Sequence, residues 1–172
     1  MLKIERYMNY AKTLINFLLV NGLTVSAAES CTGGYLSYLL TQTPGSSRVF
    51  KGSVVVYSLQ AKQQFFSLPK VLLKTTQGVS GQVAKLLAQN CRKTFKTDIA
   101  VSIVGAAGPE SVKNFRPGTV FIAVTTSKKT IVKKFIFKGT RDMVRKAAAK
   151  QAIGLLCGHL SPSNYLITSK RR

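Results

Sequence analysis

The sequence predicts a layered α/β fold with a mixed sheet in a single domain, and three observations carry that reading. A chain of 172 residues with 45% apolar and 18% charged side chains has the size and composition of one globular domain that buries its own core. Short β-branched runs alternate with helical periods in the order β-α-β-α-α-β-β-β-α after a first helix. No internal repeat, linker or low-complexity tract divides the chain.

Each element has its own signal. Apolar residues at Leu2, Ile4, Tyr7, Met8, Ala11, Leu14, Ile15, Leu18 and Leu19 recur at i, i+3 and i+4, a helix that Asn21-Gly22 stops. Leu23 to Ala28 is a β-tolerant run leading through Glu29-Ser30-Cys31-Thr32-Gly33-Gly34 into a helix over Tyr35 to Thr41: strand, tight glycine turn, helix. Pro44-Gly45 closes that helix. After Gly52 the run Ser53 to Tyr57 predicts a strand entering a helix near Gln60, which sets Lys62 just past a strand end. Ser80 caps a helix that turns Val83, Ala84, Leu86, Leu87 and Cys91 to the core and ends near Lys96. Asp98 to Val104 reads as a buried strand, Gly105 to Pro109 as a loop of small residues, and Glu110 to Pro117 as irregular. Gly118 to Thr126 and Thr130 to Phe137 are strands joined by Ser127-Lys128-Lys129, short enough for an antiparallel hairpin. Gly139 precedes a last helix over Arg141 to Cys157. The domain is placed at residues 1–160, and the basic tail 161–172 is expected to fray.

Lys and Arg number 26 against 5 Asp and Glu, a net charge of +21, so anionic ligands, nucleic acid and acidic membrane surfaces all enter as partners. The surplus is concentrated late, with twelve basic residues against one acid from Lys128 onward. No aromatic-interleaved patch, helix-turn-helix or ribonucleoprotein motif accompanies it, which argues against specific nucleic-acid reading and leaves weak, salt-sensitive binding. The apolar stretch Leu14 to Val20 is interrupted by Asn16 and lacks a small-residue cleavage site, so neither a signal peptide nor a membrane span is expected. Cys31, Cys91 and Cys157 form no C-x-x-C pair and have only His159 beside them, which argues against a metal site or a disulfide framework. A reduced, cytoplasmic compartment is the expectation.

Chemistry is sought where strands end. The Glu29–Gly34 turn, the segment from Tyr57 to Lys62 and the Gly105–Pro109 loop all follow strand ends, the edge at which open α/β sheets bind ligands. Ser30 at the first corner can act as a nucleophile, hold a phosphate with the following amides, or simply cap the helix. A Ser-His pair would require His159, beyond the last helix, to reach that edge. A lysine held neutral by burial and neighbouring positive charge can replace histidine as base; Lys62, flanked by Ala61, Phe65 and Phe66, is the candidate, against the plainer reading of a solvated side chain. Tyr57 can orient either partner or be an ordinary strand aromatic. The loop Gly105, Ala106, Ala107, Gly108 carries neither G-x-G-x-x-G nor G-K-[ST], so ATP and NAD lose ground; it leaves room for a flat ring or a carbonyl, or is a tight turn. Arg141 and Arg145 lie one turn apart, and Arg141 at a helix start can hold a phosphate or belong to a solvated basic face.

With Ala28-Glu29-Ser30-Cys31-Thr32-Gly33-Gly34, Tyr57-Ser58-x-x-Ala61-Lys62, Gly105-x-Ala107-Gly108-Pro109 and Gly118-Thr119-Val120 in that order, the sequence resembles the CinA C-terminal domain family, the nicotinamide-nucleotide amidohydrolases, over nearly its whole length. The resemblance implies a single-domain three-layer α/β sandwich with a mixed sheet. It implies deamidation of nicotinamide mononucleotide to nicotinate mononucleotide and ammonia, with Ser30 as nucleophile, Lys62 as base and later acid, and Tyr57 assisting. By the same likeness the turn Thr32, Gly33, Gly34 or the loop Gly105, Ala106, Ala107, Gly108 supplies oxyanion donors and substrate contacts, and Arg141 takes the phosphate. No metal and no cofactor is implied; the partner is a small-molecule nucleotide, and a homo-oligomer is left open. The sequence departs from the family at Leu59 and Gln60, which replace an Asn and a Glu beside the presumed base, at Val104, which replaces a hydroxyl residue, and at Gln77-Gly78-Val79-Ser80, which replaces Gly-Ala-Val-Ser. The rival reading is a catalytically silent family member that binds nucleic acid or another anionic partner through its basic surface.

Overall fold

A computed structural model describes residues 2–160, with side chains from Tyr10 onward. The chain runs α1 (Leu2–Val20), β1 (Val25–Glu29), α2 (Tyr35–Thr41), α3 (Ser46–Val49), β2 (Phe50–Val55), α4 (Leu59–Phe66), α5 (Lys70–Thr76), α6 (Gly81–Phe95), β3 (Ile99–Gly105), β4 (Thr119–Thr125), β5 (Thr130–Ile136) and α7 (Arg141–His159). The expected tail, 161–172, lies outside the described residues.

Five strands form one sheet in the order β2-β1-β3-β4-β5. The first three are parallel, with Ala27 of β1 opposite Ser53 of β2 and Val101 of β3, whereas β4 and β5 add as an antiparallel pair. The mixed sheet is therefore as the sequence predicts, but β2 and β3 flank β1 rather than each other, so the chain changes direction of winding at β1. Such a switch point leaves a crevice at the carboxyl ends of the strands.

The layers follow from alternation along the strands, since successive side chains leave opposite faces. Val25, Ala27, Val101, Ile103, Ile122 and Val124 pack against α1, α2 and α7, whose buried faces include Leu14, Ile15, Leu18, Leu36, Leu40, Ile153 and Leu156. Ala28, Ala100, Val104, Phe121 and Ala123 meet Phe66, Leu73, Val83, Leu87 and Cys91 of α4, α5 and α6 on the other face. The result is the three-layer α/β sandwich.

Helix α6 shows how closely local chemistry sets an element: the Ser80 hydroxyl accepts from the Val83 amide at 3.1 Å at one end, and Lys96 takes the left-handed conformation (φ 52°) at the other. Strand β2 is the exception to the expected boundaries, spanning Phe50–Val55 where the sequence reading begins at Ser53. Gly52 sits inside the strand because the Phe95 ring lies against it; a Cβ there would come within 2.7 Å of that ring. Two helices, α3 and α5, had no sequence expectation. Each is short and buries one apolar side chain, Val49 and Leu73 respectively. Among the described residues, no helix is long and apolar enough to cross a membrane.

Candidate active site

The corner after β1 is built around Glu29. Its side chain is fully buried, and among the described residues no cation partners it. One carboxylate oxygen accepts from the amides of Gly34 (3.0 Å) and Leu36 (3.1 Å), the other from the Ser37 amide (2.9 Å) and hydroxyl (2.5 Å). The three amides are otherwise orphaned at the start of α2, so the acid staples the helix start to the end of β1. Between the two lies a tight turn closed by Gly33 N–H to Ser30 C=O at 3.1 Å, with Gly33 and Gly34 both at positive φ. Ser30 is 8% exposed at that turn.

Lys62 arrives from the neighbouring strand. Val56 N–H bonds the Glu29 carbonyl at 2.8 Å, which sets the end of β2 beside the corner. Ser58 then caps α4, its hydroxyl accepting from the Ala61 amide at 3.0 Å. One turn into that helix, Lys62 points back: its Nζ lies 3.0 Å from Ser30 Oγ, 2.9 Å from the Val56 carbonyl and 3.1 Å from the Tyr57 carbonyl. The side chain is only 3% exposed and has no carboxylate partner among the described residues. Burial, which disfavours the ammonium form, pulls its pKa from 10.5 down to about 8. As an ammonium, Lys62 donates one hydrogen each to the two carbonyls and to Ser30 Oγ; once neutral, it keeps two hydrogens for the carbonyls and turns its lone pair to the Ser30 hydroxyl. Cys31 beside it is buried, and desolvation pushes its thiol up to about 12, so the sulfur stays protonated.

The third wall is the loop after β3. Gly105 is required there, because a Cβ would stand 2.6 Å from the Thr119 carbonyl. Ala106 is tied to the next strand through its amide to Thr119 (2.9 Å) and its carbonyl to Gly118 (2.7 Å). Arg141, the first residue of α7, donates to the Gly108 carbonyl at 2.6 Å and to the Tyr57 hydroxyl. Arg145, one turn on, donates to the Thr32 carbonyl at 3.1 Å. The start of α7 thus bridges all three strand ends.

Between these walls is a cavity of about 310 Å³, lined by Ser30, Lys62, Tyr57, Gly105, Ala106, Ala107, Gly108 and Arg141 among others. Thr32, Gly33 and Gly34 stand behind it: the Gly33 and Gly34 amides are committed to Ser30 and Glu29, so that turn shapes the corner rather than the cavity wall. Tyr57 is 57% exposed and turns its hydroxyl to Arg141, touching Lys62 only through its main-chain carbonyl. His159 closes the far end of α7, roughly 27 Å from Arg141 at 1.5 Å per residue, so no Ser-His pair forms. The cavity also takes in Cys31, Gln77, Val79, Glu110, Ser111 and Val112, none of which the sequence reading named as site residues. For Gln77 and Val79 a signal existed, since they lie in one of the segments that depart from the family pattern. For Glu110 to Val112, in an irregular loop, none did. Among the described residues no three metal-ligating side chains converge.

Fold and corner together define a three-layer α/β domain with a serine–lysine pair at the carboxyl edge of its parallel strands. The chain belongs to the CinA C-terminal domain family, whose model matches residues 8–160. It is 39% identical over 137 residues to a protein of Bacillus mycoides named as competence-damage inducible, covering 79% of this chain and 33% of that one. A similarly named protein of Caldanaerobacter subterraneus is 37% identical over 148 residues, 86% of this chain and 36% of the other. The chain therefore spans about a third of the length of the curated relatives it matches. Among solved structures, the competence or damage-inducible protein of Enterobacter asburiae superposes with a TM-score of 0.87 at 29% identity, over 90% of this chain and 98% of that one. A competence/damage inducible protein of Agrobacterium tumefaciens gives 0.85 at 28% identity, over 88% and 94%.

Proposed function

We propose that this domain is an amidohydrolase that converts nicotinamide mononucleotide to nicotinate mononucleotide and ammonia through a Ser30–Lys62 dyad. The single observation that carries the reading is the 3.0 Å approach of a buried, carboxylate-free lysine amine to a serine hydroxyl at a strand-to-helix corner. Neutral Lys62 takes the Ser30 proton as Oγ bonds to the carboxamide carbon. The tetrahedral adduct then collapses with cleavage of the C–N bond, the lysine returning the proton to nitrogen so that ammonia leaves. Water, deprotonated by the same amine, cleaves the resulting ester and frees Ser30. The net balance is amide plus water to acid plus ammonia.

Charge developing on the carbonyl oxygen needs preorganised donors. The amides of Gly33, Gly34 and Ala106 are committed elsewhere, so the reading assigns this role to Ala107 and Gly108 on the cavity wall. Arg141 uses two of its five N–H groups on Gly108 and Tyr57, and the remainder are available to the 5′-phosphate. Tyr57 serves by holding that guanidinium and by giving its carbonyl to Lys62.

Ammonia release from a panel of pyridine nucleotides and nucleosides tests the proposal, with Ser30→Ala as control. Turnover of the mononucleotide by the parent and none by the variant is expected. No ammonia from the parent would sink the reading and favour a binding role for the basic surface.

A further inference from the structure

We propose that Leu59 and the Gln77-Gly78-Val79 corner between α5 and α6 form a dry clamp on the Lys62 stem, and that they are positioning residues which set how readily its amine gives up a proton. The inference rests on the Ser30–Lys62 chemistry proposed above.

Leu59 and Lys62 are three residues apart on α4 and so share a side of that helix. A Cβ placed on Gly78 would lie 2.6 Å from Leu59 Cδ2 and 3.4 Å from both Cδ and Cε of Lys62, so one stretch of bare backbone abuts both side chains. That approach needs a residue without a side chain in the left-handed region, and Gly78 sits at φ +71° directly after Gln77 at φ 49°. The corner is fixed by Gly78 N–H to the Leu73 carbonyl and Val79 N–H to the Thr76 carbonyl, both 3.1 Å. Leu59 is 38% exposed while Lys62 is 3% exposed, so the leucine takes the solvent side of the pair. The C-terminal end of helix α5 thereby delivers the backbone that closes on the lysine stem.

The charges around Lys62 come from other elements. Glu29 and Cys31 belong to the corner after β1, Tyr57 to the end of β2, Glu110 to the loop after β3, and Arg141 to the start of α7. Leu59, Gln77, Gly78 and Val79 bring none. The clamp therefore acts by excluding water, in keeping with burial as the leading cause of the lowered lysine pKa. A polar side chain at position 59 would offer the ammonium a dipole and a path to solvent.

Two readouts on Leu59→Asn, Leu59→Ala and the conservative Leu59→Met test this. One is the pH profile of kcat/KM for ammonia release. The other is the NMR titration of the Lys62 ε-carbon, taken on Ser30→Ala proteins so that it does not depend on turnover. Leu59→Asn is expected to move both midpoints up by about one pH unit, which lowers kcat/KM at pH 7 about tenfold and lets it recover at alkaline pH. Leu59→Ala should move them the same way by less, and Leu59→Met should match the parent. An unchanged Lys62 titration in Leu59→Asn would overturn the clamp. A shifted titration, together with no ammonia release from the parent that retains Ser30, would uphold the clamp and remove the amidase reading instead.

Discussion

The parallel and the antiparallel halves of the sheet divide the labour. Strands β2, β1 and β3 run in one direction and end together, so the corners after them converge on one cavity. Strands β4 and β5 contribute no cavity-lining residue; β4 is buried along its whole length, and β5 carries exposed Lys133 and Lys134 on the outer edge. Parallel strands deliver their carboxyl ends to one side, where loops can carry chemistry. The antiparallel pair completes the core and guards an edge with charge.

The sharpest break in that comparison comes from Ser30→Ala, which removes the attacking oxygen. It should lower kcat for ammonia release by about a thousandfold or more while thermal unfolding stays near that of the parent. Next in size is pH. A base whose pKa lies near 8 is mostly protonated at neutrality, so kcat/KM should rise about tenfold per unit from pH 6 and level off above about 8. A falling profile across that range would remove Lys62 as the base. In the other half of the sheet, Ile122→Ala in β4 should cost roughly 2–5 kcal/mol by denaturant unfolding, with kcat nearly unchanged at a temperature where the variant is folded. Arg141→Ala should raise KM about tenfold and change kcat less; equal loss in both would undo its assignment to the phosphate. Lys133→Gln on the outer edge should shift stability by no more than about 0.5 kcal/mol and leave the kinetics alone.

Much of this division was legible in the sequence. The helix over 81–95 could be read from Ser80 and the spacing of Val83, Ala84, Leu87 and Cys91, because cap and apolar face are both local signals. The same is true of the β4–β5 hairpin. Short elements were not legible: α3 and α5 have too few residues to show a period, and they exist because Val49 and Leu73 find partners distant in sequence. Gly52 looked like a strand boundary and became a strand interior, since Phe95, which occupies the space it leaves, lies more than forty residues away. In the site, the motif residues Ser30 and Lys62 could be named, yet what the nearby amides do could not. The sequence offers Gly33 and Gly34 as donors to a ligand, and the fold has already given their N–H groups to Ser30 and Glu29. Tyr57 likewise could be placed at a strand end, but the direction of its ring depends on Arg141, on the opposite face of the sheet from α4.

The staple at Glu29 bears on how the molecule behaves in different buffers. Its negative charge is shared among three amides and a hydroxyl inside the protein, out of reach of dissolved ions. The exterior, which shares in a net charge of +21 for the chain, must respond strongly to ionic strength. Raising the salt should therefore quiet the mutual repulsion of that exterior and loosen any hold on an anionic phosphate, while the nucleophile's corner keeps its shape.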